Sequence, residues 1–227
     1  MKVSSEFSKY ANHYNTYNVI QEKVADKLLS MVDGKPQHIL DLGCGSGALS
    51  KRITWKYKKL IGVDFAPGML EIHPKSKHIE CVYGNFNDAA LFETLHTYSF
   101  DYILSASALQ WSQNIEETFR QIHKLNAPVA LAVFTANTFK TLYKTASLEP
   151  LLPSKEELNR IQKQYFNASF EVVQYRLEFE NVREMFRYIK RSGVSGSRNV
   201  LSFKEMKQLM QEYPTNYLEF EVVFITS

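Results

Sequence analysis

The sequence predicts a doubly wound α/β protein on two observations. Short apolar runs alternate with helical patterns up to Phe134, and the first of those runs leads directly into a glycine-rich turn. Such alternation builds a parallel sheet covered by helices on both faces, with right-handed crossovers. The chain has 227 residues, 44% of them apolar, enough for one sizeable core. A single domain over 1–227 is expected.

The first element is an amphipathic helix, read from Val19, Ile20, Val24, Leu28, Leu29 and Val32 at three- and four-residue spacings and closed at Asp33-Gly34. The strands follow as Ile39-Leu40, Leu60-Ile61-Gly62-Val63, Ile79 to Tyr83, Tyr102-Ile103-Leu104 and Val129 to Phe134. The glycine turn after the first strand is expected to open a helix, and Ile115, Phe119 and Ile122 mark another before the fifth strand. Beyond Phe134 the alternation loosens. Thr138 to Thr145 reads as helical, and Ser154 with Glu157 three residues on starts a second helix reaching Phe166. Phe170 to Phe179 alternates apolar and polar residues, Val182 to Arg191 and Phe203 to Gln211 are helical, and Tyr217 to Thr226 is a last strand.

Charge and cysteine content exclude several classes. Lys and Arg number 27 against 24 Asp and Glu, a net +3 that makes no general case for nucleic-acid binding. No apolar run approaches the roughly 18 residues of a membrane span, so a cytoplasmic protein with no membrane partner is expected, and a monomer. Cys44 and Cys81 lack metal-type spacing. The histidines at 13, 38, 73, 78, 96 and 123 form no HxxxH pattern, so no metal is expected. No GxSxG elbow supports serine hydrolysis.

The turn Asp41-Leu42-Gly43-Cys44-Gly45-Ser46-Gly47 carries the functional signal. Its Gly43-x-Gly45-x-x-Ala48 spacing, with Asp64 about 20 residues on, satisfies the dinucleotide fingerprint too. Asp41 separates the two readings. A carboxylate about 5 Å from a pyrophosphate costs roughly 3 kcal/mol at an effective dielectric of 20. The α-ammonium and sulfonium of S-adenosyl-L-methionine are cations, and the sign reverses. Asp64 is placed to accept from ribose hydroxyls in either case. Phe65 and Met69 offer apolar surface to an adenine, Asn85 and Phe86 end the third strand at the same sheet edge, and Ser105 ends the fourth near the entry of a methyl acceptor.

With these residues the chain resembles the class I methyltransferases, and more narrowly the malonyl-acyl carrier protein O-methyltransferases of biotin synthesis. The resemblance runs from Phe7-x-x-x-Ala11-x-x-Tyr14 and Gln21, through the cofactor motifs and Ser105 with Gln110-Trp111, to Arg187-x-x-Lys190, Gly193, Arg198 and Tyr213-Pro214. It implies a Rossmann-like sheet with an antiparallel last strand, an N-terminal helical cover over about 1–32, and an acceptor-side helical insertion after strand five, over about 136–200. It implies a cofactor site at Tyr14, Gln21, Asp41, Gly43, Gly45, Asp64, Phe65, Met69, Asn85, Phe86 and Ser105. Acceptor positioning falls to Arg187, Lys190, Tyr14 and Trp111, with no general base, because a malonyl carboxylate is already ionised at neutral pH. The implied partner is an acyl carrier protein bearing a malonyl thioester, met by the basic residues Lys155, Arg160, Lys163, Arg187, Lys190, Arg191 and Arg198. Three positions depart from that pattern. Asn85 replaces an acid, Leu125-Asn126-Ala127-Pro128 lacks a glycine, and the 193–198 loop has serines where the family has histidine. A methyltransferase of another small acceptor, or a non-catalytic S-adenosylmethionine-binding protein, remains the alternative on these residues.

Overall fold

The computed structural model describes residues 18–192 and 202–227, and for 190–192 the backbone alone. Seven strands, β1 (His38–Leu42), β2 (Lys59–Asp64), β3 (Ile79–Tyr83), β4 (Tyr102–Ala106), β5 (Val129–Phe134), β6 (Ser169–Glu178) and β7 (Tyr217–Thr226), form one sheet in the order β3-β2-β1-β4-β5-β7-β6. Strands β1 to β5 pair in parallel, and β7 runs antiparallel to both neighbours, β5 and β6. The expected antiparallel last strand is therefore present. Its place between β5 and β6 makes β6 an edge of the same sheet, and its apolar and polar positions alternate accordingly.

The helices are α1 (Val19–Ser30), α2 (Pro67–Ile72), α3 (Ala89–Leu95), α4 (Ile115–Lys124), α5 (Lys140–Thr145), α6 (Lys155–Tyr165), α7 (Val182–Ser192) and α8 (Phe203–Glu212). On one face, α1 buries Ile20, Val24 and Leu28 with Ile39, Leu104 and Ala132 of the sheet, and α7 and α8 add Met185, Ile189 and Leu209 beside Phe220 and Val222. On the other face, α3, α4 and α6 place Phe92, Phe119, Leu158 and Ile161 against Leu40, Ile103, Leu131 and Val223. Residues 39 and 40 face opposite cores, the period-two signature of a strand buried on both sides. Side-chain caps set several helix starts. Asn114, Ser154 and Ser202 accept from the backbone N–H three residues on, at 3.0, 3.1 and 3.3 Å.

One expectation is corrected. No α-helix follows the glycine turn; residues 45–52 form a run of turns in which Lys51 N donates to Gly47 O and Ile53 N to Leu49 O, both at 3.1 Å. The cause is local. Gly43, Gly45 and Gly47 all take positive φ, at 77°, 51° and 86°, so a right-handed ladder cannot propagate before Gly47. Among the described residues no helix is long and apolar enough to cross a membrane.

Candidate active site

The sheet order reverses direction at β1, which has β2 on one side and β4 on the other. At such a switch point the loops leaving adjacent strand ends diverge and open a crevice. Here the glycine loop forms its floor. Gly43 N and Cys44 N both donate to Val63 O, at 2.8 and 3.0 Å, tying the loop to β2. Asp64 completes the tie: its Oδ2 accepts from Gly45 N at 2.9 Å and its Oδ1 from Ala66 N at 2.8 Å. These N–H groups are consumed within the protein, and no helix N-terminus stands behind them. Both facts disfavour a pyrophosphate at this corner.

Above the loop lies a cleft of ≈ 750 Å³, a volume that includes its open mouth. Asn18 and Gln21, at the start of α1, line one side. Asp64, Phe65 and Met69 line the side after β2, with Phe86 beyond β3. The third wall is Ala106 to Ala108 and Trp111, past the end of β4. The structure thus brings together Gln21, Gly43, Gly45, Asp64, Phe65, Met69, Phe86 and Trp111 of the residues singled out in the sequence. Gly45 has open space on its Cβ side, whereas a Cβ on Gly43 would stand 2.2 Å from Ala108 Cβ.

Asp41 lies beneath this floor, 1% exposed, and its Oδ2 has no hydrogen-bond partner among the described residues. Burial, and then the nearby Asp64 carboxylate, push its pKa up to about 8. The sequence reading took Asp41 as a standing negative charge. Burial strips the ion of hydration and the Asp64 carboxylate opposes a second negative charge, so in the fold Asp41 holds its proton more tightly than an exposed carboxyl group does. Asp64 is also raised by burial, against the lowering effect of the N–H groups of Ala66, Gly45 and Phe65. A cation bound beside Asp41 favours the ionised form and so displaces a proton. Affinity for an ammonium-bearing ligand is therefore expected to tighten as pH rises from 6 toward 8, by up to about tenfold per unit, and to level off above that. Calorimetry across this range checks it. Asp41→Asn should bind with no such slope, and a flat wild-type profile would refute the linkage.

Other singled-out residues stand apart from the cleft. Asn85 is exposed, and its Oδ1 accepts from Asn87 N and Nδ2, both at 3.0 Å. Ser105 is fully buried and donates to Leu42 O at 2.6 Å, joining β4 to β1 behind the wall. Arg187 is on the exposed side of α7, paired with Glu184 Oε1 at 2.5 Å, while Met185, Tyr188 and Ile189 face the core. Tyr14, Gly193, Arg198 and the side chains of Lys190 and Arg191 lie outside the described residues. Two of the remaining basic residues also have acidic partners, Lys155 with Glu221 at 3.5 Å and Arg160 with Glu116 at 3.1 Å.

Sequence reasoning missed two features. Ser107 lines the cleft with a left-handed backbone, φ 61°, and its hydroxyl has no partner among the described residues. The Ser105-Ala106-Ser107 pattern held the signal, but only the turn after β4 decides which serine meets the cleft. Glu221, on β7, is a buried carboxylate accepting from Thr135 Oγ1 at 2.7 Å and Asn137 Nδ2 at 2.9 Å. Those bonds and Lys155 hold its pKa below the usual carboxylate value despite an opposing burial effect. Nothing in the strand's pattern announced it.

Comparison with known proteins agrees with this geometry. Residues 39–128 match the family model of a methyltransferase domain. A malonyl-[acyl-carrier protein] O-methyltransferase of Ilyobacter polytropus is 26% identical, the alignment covering 100% of this chain and 91% of that protein. One from Acetivibrio thermocellus is 27% identical over 97% of this chain and 91% of its own length. Among solved structures, the YcgJ protein of Bacillus subtilis superposes with a TM-score of 0.62 at 13% identity, covering 88% and 94% of the two chains. A putative methyltransferase of Bacillus halodurans gives 0.62 at 11%, covering 90% and 97%. A Haemonchus contortus N-methyltransferase in complex with S-adenosylhomocysteine gives 0.51 at 16%, covering 88% of this chain and 52% of that one. Sheet order, switch-point cleft, glycine loop and these similarities together identify the chain as an S-adenosylmethionine-dependent methyltransferase of class I, similar along nearly its whole length to malonyl-acyl carrier protein O-methyltransferases.

Proposed function

We propose that this enzyme methylates the free carboxylate of malonyl-acyl carrier protein, giving the methyl ester from which a pimeloyl chain for biotin is built. The similarity to curated relatives of that activity, which spans the acceptor half as well as the cofactor half of the chain, carries the proposal. One further relative, from Saccharophagus degradans, is named a biotin biosynthesis bifunctional protein and aligns over 63% of this chain.

The cleft suits the cofactor chemically. Gln21, on the cleft wall, has a buried Oε1 without a partner among the described residues, an acceptor for the donors of an α-ammonium, and the Asp41 carboxyl lies buried beneath the floor. Asp64 keeps spare lone pairs for ribose hydroxyls, and Phe65, Met69 and Phe86 supply apolar surface for an adenine. When bound, S-adenosylmethionine supplies a methyl carbon made electrophilic by its sulfonium. One lone pair of the acceptor carboxylate forms the new O–CH₃ bond as the C–S bond breaks, and that bond's electron pair stays on sulfur. Anion and cation become a neutral ester and a neutral thioether, and no proton moves. The protein's work is to align the oxygen about 3–3.5 Å from the methyl carbon and to keep water out. Trp111 closes the wall on that side. Arg187, exposed on α7, is assigned to contact with the acidic carrier, together with Lys190 of the same helix.

Labelled S-adenosylmethionine is expected to transfer its methyl group to malonyl-acyl carrier protein faster than to the succinyl form. No transfer to any dicarboxyl thioester would overturn the proposal. Steering of the carrier by basic residues predicts a second result. The rate with carrier-bound substrate should fall several-fold as salt rises from about 0.05 to 0.3 M, while the rate with a small malonyl thioester stays level. Equal responses would rule out electrostatic docking.

A further inference from the structure

We infer that Ser107 is the residue that orients the methyl-accepting carboxylate, by donating a hydrogen bond from its hydroxyl to the oxygen that is not methylated. The inference rests on the carboxylate acceptor proposed above. Ser107 is the first residue beyond β4, and it is held from both sides: its N–H donates to Ala132 O at 2.9 Å, and its carbonyl accepts from Gln110 Nε2 at 2.6 Å. Trp111 N donates to Ala108 O at 3.1 Å, closing the turn that follows. The backbone is left-handed at φ 61°, a conformation uncommon for residues other than glycine, asparagine and aspartate. Non-glycine residues of this kind persist where the surroundings over-determine them, and they cluster at sites of function. The result here is a serine whose backbone is held at the cleft wall, with its hydroxyl buried and without a partner among the described residues.

Its place in the sheet selects the ligand end it meets. Asp64 ends β2 and Ser107 follows β4, with β1 between them, so the two positions are separated by two strand spacings, about 10 Å. A ribose at Asp64 therefore puts Ser107 toward the reacting end, on the side of β5 and Trp111. Of the other buried polar atoms without a partner among the described residues, Gln21 Oε1 is the one on a residue lining the cleft, and an amide oxygen accepts only, which fits a cation. A hydroxyl can also donate, and an acceptor carboxylate needs a donor for its second oxygen.

The chemistry sets the kinetic signature. Negative charge leaves the carboxylate as the ester forms, so a hydrogen bond to it is stronger in the ground state than in the transition state. Removing the donor should then act on KM for the acceptor more than on kcat. Ser107→Gly removes the hydroxyl and suits a positive φ, and Ser107→Ala is the second variant, each checked for folding by its thermal midpoint. With malonyl-acyl carrier protein, KM for the acceptor is expected to rise roughly tenfold to hundredfold. The kcat should stay within about threefold, and cofactor affinity by calorimetry should not change. Weakened cofactor binding with unchanged acceptor KM would overturn the assignment and give the hydroxyl to the cofactor. Unchanged values for both, in a wild-type enzyme that turns over, would overturn it alone. Failure of the wild type to methylate any carboxyl thioester would overturn the acceptor proposal and this role with it.

Discussion

Gly43→Ala is expected to unfold the enzyme at a thermal midpoint roughly 10 °C below wild type. The added Cβ stands 2.2 Å from Ala108 Cβ, and because that methyl group has no side-chain torsion to turn it aside, the backbone must move. Overpacking of this kind costs about 1–3 kcal/mol, and holding alanine at φ 77° adds about 1–2 kcal/mol. For a domain of this size each kcal/mol shifts the midpoint by about 2–4 °C. Because Ala108 also walls the cleft, cofactor affinity falls together with stability. Two companions separate the causes. Gly45→Ala, with nothing within 4 Å of its new Cβ and φ 51°, should lose only about 1 kcal/mol of stability, yet bind cofactor at least tenfold more weakly because its methyl projects into the cleft. Adding Ala108→Gly to Gly43→Ala removes the clash and should restore part of the midpoint. If the double variant is as unstable as the two single losses combined, contact with Ala108 is not the cause.

Asp64→Ala is expected to weaken cofactor binding by roughly a hundredfold to a thousandfold. The substitution removes the acceptor for Gly45 N and Ala66 N together, and each buried N–H left unpaired costs about 1–3 kcal/mol. The glycine loop then loses its side-chain tie to the end of β2, keeping only the bonds to Val63 O, in addition to losing the ribose acceptor. The comparison with Asp41 is diagnostic. Asp64→Ala should impair adenosine and S-adenosylmethionine alike. Asp41→Asn should impair chiefly ligands that carry the ammonium, and adenosine hardly at all. Titration of both variants with both ligands checks this; equal losses for adenosine in the two variants would refute the division of labour.

The extent to which these features were legible in the sequence follows from how local their causes are. Strands β5 and β7 begin and end where their apolar patterns do, because a strand buried in a sheet must be apolar on each face it hides. The caps at Ser154 and Ser202 were similarly readable, since a cap is a contact between residues three apart. The helix expected after the glycine loop fails for a reason that composition hides. Glycine permits either sign of φ, and ties to Val63 and Asp64, 19 to 20 residues away in sequence, select the positive one.

Of the residues lining the cleft, Gly43, Gly45, Asp64, Phe65, Met69 and Phe86 were singled out by their places after strands that the pattern predicts, whereas Gln21 and Trp111 were singled out by the family resemblance. Asn85 and Ser105 occupy equally suggestive positions, but their side chains are engaged elsewhere, by Asn87 and by Leu42 O. A hydrogen-bond partner on another segment leaves no trace in the local sequence. The raised pKa of Asp41 is of the same kind. Its carboxyl group is written in the sequence; its pKa depends on its burial in the strand between β2 and β4 and on the proximity of Asp64.

By itself, then, the sequence determined the sheet class and the glycine corner, which depend on local pattern and spacing, and the methyltransferase reading followed from its resemblance to that family. Tertiary structure alone decided which serine reaches the cleft, that Arg187 pairs with Glu184 on the surface, and that burial raises the pKa of Asp41. Those outcomes depend on burial and on partners brought together by the fold, and both are properties of the packed sheet rather than of any segment within it.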